Sequence, residues 1–266
     1  MISDNLLIEW SYSGKSEYDA NAYNRLKDVI IDNFPTEEVF LQGSYANSTG
    51  VYESSDVDIV VVCRGYYIDS FNPARDLRRL KYDLYDAIDG ACNFHFEMGK
   101  KTIKYQGSSR YSRTDILPCI YYRSRYGNEG ITFYDHSERK NVINYPRQHK
   151  DNGIAKNKRT GESYKKTVRM FKNLRDCLID ERMISLNTAP SYYLECLLYN
   201  VPDSCFVDYA PDSFYNVLDW LSSNVISFID MRCQNGIHYL FTGQNCWNLK
   251  DCYRFLLAAE RWVKYA

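Results

Sequence analysis

Two aspartates one residue apart, Asp56 and Asp58 in DVDIVVVC, stand where a strand-like apolar run begins. A Gly-Ser pair, Gly43 and Ser44, precedes them with eleven residues between Ser44 and Asp56. Side chains at i and i+2 of a strand share one face, so the two carboxylates project together. Like charges held that close repel and push a pKa upward unless a cation compensates, and hard oxygen donors with an open coordination shell suit Mg²⁺. Glycine lets backbone N–H groups approach a phosphate, and the adjacent hydroxyl adds one more hydrogen bond. Metal-assisted chemistry on a phosphate is therefore what this block of residues is equipped for.

The flanking sequence must place that block at the edge of a sheet. EEVFLQG (37–43) and DVDIVVVC (56–63) are rich in β-branched and aromatic residues around a loop of Gly, Asn, Ser and Thr, and read as neighbouring strands. Before them, Tyr23, Leu26, Ile30 and Phe34 recur at helical spacing until Pro35 ends the pattern. After them, PARDLRRLKYDLYDAI carries Leu77, Leu80, Leu84 and Ile88 behind an Asn-Pro start, the mark of an amphipathic helix packed on a sheet. NFHFEMG, KTIKYQG and RTDILPCIYYR are three short strand candidates, and GITFYDHSERKNVINYP is a further hairpin. From about Gly161 the pattern is helical: ESYKKTVRMFKNLRDCLID, APSYYLECLLYNV, FYNVLDWLSSNVISFI and LKDCYRFLLAAERWV. The expectation is an α+β chain, with residues 1–150 as a catalytic lobe around a mixed sheet, 151–266 as a helical lobe, and a cleft between them.

Bulk properties narrow the partners. Lys+Arg at 33 nearly cancels Asp+Glu at 34, so no global field recruits a long polyanion, and phosphate recognition must come from local basic clusters. The amino-terminal MISDNLLIEWSYSGK lacks the pattern of a signal peptide, and no apolar run reaches membrane-spanning length, so a cytoplasmic location without membrane attachment is expected. Nine cysteines, scattered and never at C-x-x-C spacing, read as reduced thiols rather than a disulfide framework or a zinc cluster.

The form G-S, spacer, D-h-D-h, where h is apolar, resembles the signature of the polymerase-β-like nucleotidyltransferase superfamily. The resemblance implies a third carboxylate on a neighbouring strand, which Asp115 in RTDILPCIYYR meets, with Glu97 in FHFEMG as a rival. Further downstream, NYPRQHKDNGIAKNKRTGESYKKTVRMFKNLRDCL and APSYYLECLLYNVP extend the likeness, so that from about Val39 to Trp262 the chain is similar to the bacterial cGAS/DncV-like nucleotidyltransferases (CD-NTases) of cyclic-oligonucleotide antiphage signalling. The resemblance implies a polymerase-β-like lobe with a curved mixed sheet and a helical lobe completing the cleft. It implies joining of nucleoside triphosphates into a cyclic di- or trinucleotide, with two Mg²⁺ ions (Mn²⁺ as a substitute) held by Asp56, Asp58 and Asp115, and a downstream effector that responds to the product. No covalent enzyme intermediate is needed, so a His or Cys nucleophile is not sought.

Matched position by position, Lys172 in VRMFKNLR corresponds to the family's triphosphate-binding lysine, with Arg169 one turn earlier on the same face. Ser191 and Tyr192, after Pro190, fall where family members place a serine on the phosphates and an aromatic ring on the donor base. A solvated helix face is the plainer reading for Lys172, and a core position the plainer one for Tyr192 and Tyr193. Asn152 in HKDNG and Asn144 in INYP are candidates for reading a base edge, against an ordinary turn asparagine before Gly153. His149 is read as structural. The chain departs from animal cyclic GMP-AMP synthase in lacking the clustered His and Cys of a zinc insertion, so zinc-dependent DNA binding is not expected, and a monomer is. The alternatives carried forward are transfer to a tRNA, antibiotic or protein acceptor, and a nucleotide-binding regulator without turnover.

Overall fold

The structure is a computed structural model, and it describes residues 2–14, 17–51, 56–91, 94–243 and 246–265. The chain divides into two compact units. One comprises Lys15–Ala46 and Ser54–Pro146, and the other Met1–Gly14, Asn47–Glu53 and Arg147–Ala266.

The first unit is built on strands β1 (Thr36–Gln42), β2 (Val57–Cys63), β3 (Phe96–Met98), β4 (Ile103–Tyr105), β5 (Thr114–Arg123), β6 (Glu129–Asp135) and β7 (Lys140–Asn144). They form a mixed sheet in the order β1-β2-β5-β4-β3, with β6 added to the far half of β5 and β7 to β6. β2 and β5 run parallel and the other pairs are antiparallel. Parity along β2 decides what lies where. Val57, Ile59, Val61 and Cys63 join Leu26, Ile30, Leu80, Leu84 and Ile88 in one core, packed under α2 (Glu17–Asn33) and α4 (Leu80–Asp89). Val60 and Val62 face the other way, into a smaller cluster with Leu117, Cys119, Ile131 and Phe133. Asp58 shares that second face, as does Asp115 ahead of Leu117.

One local expectation differs from the structure. The helix anticipated from Asn72 begins at Leu80, because Asn72 caps only a 3-10 turn at Pro73–Arg75 and the chain is then extended at Asp76, where the Tyr67 N–H donates to Arg75 O and the Leu77 N–H to Tyr67 O, each at 2.9 Å. Strand β5 runs on past Pro118, whose missing N–H costs nothing in the ladder: β4 pairs only up to Ile116 and β6 begins at Ile120.

The second unit is helical among its described residues: α1 (Asp4–Trp10), α5 (Pro146–Arg159), α6 (Ser163–Asp180), α7 (Ser191–Tyr199), α8 (Ala210–Ser223) and α9 (Leu249–Tyr265). A short helix, α3 (Gly43–Asn47), follows β1 directly. The core around Phe171, Leu174, Leu194, Leu197, Phe214 and Phe255 explains the strong apolar stripes of α6 and α9. Helix α5 was not anticipated, and Asn152 and Gly153 lie inside it rather than in a turn. The glycine is there for packing: a Cβ on Gly153 would come within 2.4 Å of the Gln234 side-chain nitrogen.

The eight described cysteines carry free thiols, and Cys92 lies outside the described residues. No helix among the described residues is long and apolar enough to cross a membrane.

Candidate active site

Strand register assembles the acidic residues of the sheet unit into a lateral row. Gln42 pairs with Asp58, Asp58 with Asp115, Asp115 with Lys104, and Lys104 with Glu97. Directly paired residues point to the same face, so the row crosses five strands on the side of the sheet away from α2 and α4. Asp115 stands beside Asp58, while its rival Glu97 sits two strands further out, exposed, with the Gln106 side chain donating to it at 2.6 Å. Asp56, two residues before Asp58, precedes β2 at the same edge. Gly43 (φ +67°) closes the site from the end of β1. A Cβ built there would lie 2.0 Å from Oδ2 of Asp58, so glycine is required by the carboxylate as well as by the backbone.

The acids are held by cations of their own unit. Arg113 Nε lies 3.1 Å from Asp56 Oδ1 and Lys104 Nζ 3.5 Å from Asp115 Oδ1, while the Thr102 hydroxyl donates to Asp115 Oδ2 at 3.2 Å. Burial pushes the Asp115 carboxyl above its ordinary value and the charge on Asp56 adds to this, against the pull of Lys104. Turned onto these partners, the acids do not close on a common point: among the described residues no three His, Cys, Asp or Glu side chains converge as a metal cluster. In kind the donors fit a hard divalent cation. They are all carboxylate oxygens, two of them on adjacent positions of paired strands. Sequence reasoning passed over Thr102, Lys104 and Arg113. Lys104 was detectable only through register.

In the helical unit, the expected nucleotide-binding residues are found in protein–protein contacts. Lys172 is 2% exposed, and its ammonium donates to Glu195 Oε1 (2.5 Å), Thr49 O (3.0 Å) and Thr49 Oγ1 (3.2 Å). All three of its donors are thereby used, and the burial differs from the plainer reading of a solvated helix face. Arg169 donates to Ser11 O and Ser48 O, each at 2.6 Å, and burial pushes its guanidinium down to about 10. Asn152 donates to Gln234 O at 2.8 Å through its amide nitrogen. Asn144 ends β7, where its side-chain oxygen accepts from the N–H of Tyr145 at 2.9 Å.

Ser191 opens α7 and accepts a hydrogen bond from Arg175. Arg175 was missed, although Arg169, Lys172 and Arg175 recur every three residues on α6. The Tyr192 ring is 37% exposed and stacks on His149 with ring centroids 5.2 Å apart. His149 in turn lies 3.0 Å from Glu195 Oε2, which fits its structural reading. Glu195 is the other residue missed. Burial opposes its ionisation, but Lys172 and His149 outweigh that and hold the carboxyl far below the usual range. The sequence signal was a lone acid in the apolar helix YYLECLLY.

Residues 151–264 match the cGAS/DncV-like nucleotidyltransferase C-terminal helical domain. The cyclic UMP-AMP synthase of Rhodothermus marinus is 36% identical, across 96% of this chain and 95% of its own length. The cyclic nucleotide synthase CdnE01 of Staphylococcus haemolyticus is 32% identical, with 95% of each chain covered. Among solved structures, the CdnE cyclic dinucleotide synthase of Elizabethkingia meningoseptica with GTP and Apcpp superposes at a TM-score of 0.88, with 30% identity and both chains covered in full.

Proposed function

The chain belongs to the cGAS/DncV-like nucleotidyltransferases, and from that premise we propose that it joins nucleoside triphosphates into a cyclic dinucleotide or trinucleotide at the acidic row of the sheet unit. The observation that carries the reading is the side-by-side pairing of Asp58 and Asp115 on parallel strands, with the bare α-carbon of Gly43 against Asp58. Asp56, Asp58 and Asp115 are the residues that would hold two Mg²⁺ ions. Bound there, the ions would supply Lewis acidity to the attacking hydroxyl and charge neutralisation to the triphosphate.

The chain's own residues account for the rest. An acceptor hydroxyl oxygen forms a bond to the α-phosphorus, the bond from that phosphorus to the bridging oxygen breaks, and pyrophosphate leaves with the electron pair. Asp115, paired beside Asp58, is the acid assigned in this reading to take the hydroxyl proton. Gly43 and Ser44 offer backbone N–H groups and a hydroxyl to phosphate, and the exposed area of the Tyr192 ring offers a stacking surface to a base. A second transfer on the linear intermediate closes the ring. Relatives named as cyclic UMP-AMP and cyclic dinucleotide synthases support a two-membered ring. In this proposal the protein acts as a cytoplasmic monomer, and its product switches on an effector in antiphage defence.

The test is incubation of the protein with all four labelled triphosphates and Mg²⁺. A product that resists phosphatase without any added acceptor is expected, and Asp58→Asn should lower its rate by about 10³-fold or more with the fold retained, since several kcal/mol of charge stabilisation is lost. Unimpaired synthesis by Asp58→Asn would remove the acidic row from the mechanism.

A further inference from the structure

The lateral row of the sheet unit alternates in charge beyond Asp115. Lys104 on β4 pairs with Asp115 on one side and with Glu97 on the other, so a single lysine stands between two carboxylates on one face of the sheet. Directly paired side chains begin about 5 Å apart, and rotation of the flexible four-carbon stem takes an ammonium from one neighbour to the other. The structure shows it on Asp115, with Nζ 3.5 Å from Oδ1. Glu97 instead accepts from the Gln106 side chain at 2.6 Å. The path of the lysine stem is kept clear by Gly99 in the turn between β3 and β4, where a Cβ would come within 3.2 Å of Lys104 Cε.

The two partners of Asp115 differ in what they can share with a divalent cation. Thr102 donates to Oδ2 at 3.2 Å through a neutral hydroxyl, and a neutral donor orients a carboxylate that also ligates a metal. The ammonium on Oδ1 cannot stay beside a metal on the same carboxylate, because it takes up the oxygen and adds a like charge. Nor is it held there firmly: it makes one contact to the carboxylate, and its side chain is 44% exposed. We propose that Lys104 is a built-in competitor of the metal for Asp115, a positioning residue that gives up this carboxylate to the cation and pairs with Glu97 instead. The exchange keeps both acids compensated at each stage, which gives the outlying Glu97 a task that a lone surface acid would not have. It also sets the protein's own metal affinity low, in keeping with an ion that takes part of its coordination shell from substrate phosphates. The inference rests on Asp115 being a metal ligand, as in the nucleotidyl-transfer reading.

The probe is Mn²⁺, titrated into the full chain without nucleotide, with the free ion counted by its paramagnetic resonance spectrum. Lys104→Met keeps the stem and removes the charge, and it should tighten binding by about 3- to 10-fold. Competition, as distinct from the general field of one positive charge, requires that gain to pass through Asp115. In an Asp115→Asn background the same substitution should therefore leave Mn²⁺ binding, or its loss, unchanged to within about twofold. Glu97→Gln removes the second partner and should weaken binding by about 2- to 3-fold, an effect that should vanish once Lys104 is replaced by Met. Binding by Lys104→Met no tighter than that of the wild type would overturn the proposal, as would an equal gain in the Asn background. Wild-type affinity in Glu97→Gln would overturn the exchange between the two carboxylates. A wild type that binds Mn²⁺ while Lys104→Met gains nothing leaves the metal site standing and removes only the competitor. If neither protein binds Mn²⁺, the metal assignment of Asp115 falls and the competitor falls with it.

Discussion

Two charged clusters, one in each unit, handle charge in opposite ways. At the acidic row of the sheet unit the ion pairs are open to water: Lys104 and Asp115 are 44% and 22% exposed, and Arg113 and Asp56 are 56% and 38%. In the helical unit the Lys172–Glu195 pair is sealed, with each oxygen of the carboxylate engaged. Exposed pairs are individually weak and exchange partners readily, whereas a buried pair is expensive to break. The lesson is that the acids of the row sit where their protein partners are replaceable, and the sealed pair sits where no substitute can reach it.

The largest effect should come from breaking the sealed pair. Glu195→Ala leaves Lys172 buried without its counter-charge and should cost about 3–5 kcal/mol in urea denaturation. Loss of less than about 1 kcal/mol would place that pair with the surface ones. Next, Gly43→Ala drives a Cβ into Asp58 and forces a backbone angle that alanine disfavours. It should lower kcat by about 10²-fold or more while circular dichroism stays native.

A third test uses pH, because Glu195 and Asp115 have opposite linkage. Glu195 titrates below its unfolded value, so its stabilisation is present above about pH 4.3 and is lost as pH falls. Asp115 titrates above its unfolded value of about 3.9, so the stability tied to it is lost as pH rises through its folded value. Asp115→Asn in the metal-free protein should therefore melt above the wild type at pH 7, with the gap closing below about pH 3.9. A gap that widened on acidification would reverse the sign assigned to Asp115. The smallest change is expected of Lys104→Ala, within about 1 kcal/mol of wild-type stability by the same denaturation, since its partner stays hydrated.

Much of the acidic row was legible because strands write their faces in alternate residues. DVDIVVVC displays its two faces directly, and the Gly-Ser pair marks where the preceding strand must stop. The α+β architecture with a helical second half follows from the same periodicities and is that of the solved relatives. Lateral order was not legible. Nothing local to Lys104 or Glu97 says which strand each will adjoin, and only the observed register separates the neighbour of Asp58 from the outlier. Helix α5 escaped because PRQHKDNGIAKNKR is largely charged and contains a glycine, whose reason is the Gln234 side chain more than eighty residues away. The roles of Lys172 and Glu195 escaped for a related reason: a lysine reads as solvent-facing until the acid that buries it is known.

The parity of β2 has one further consequence, for how the chain tolerates change in length. Its alternate residues are sorted into two unlike compartments, one lined by Leu26, Leu84 and Ile88 and the other open to the acidic row. An odd number of residues inserted between Val57 and Asp58 would deliver the first aspartate side chain to hydrocarbon, and an even number would return it to the row, displaced along the strand. This stretch of gene can thus drift only in steps of two codons.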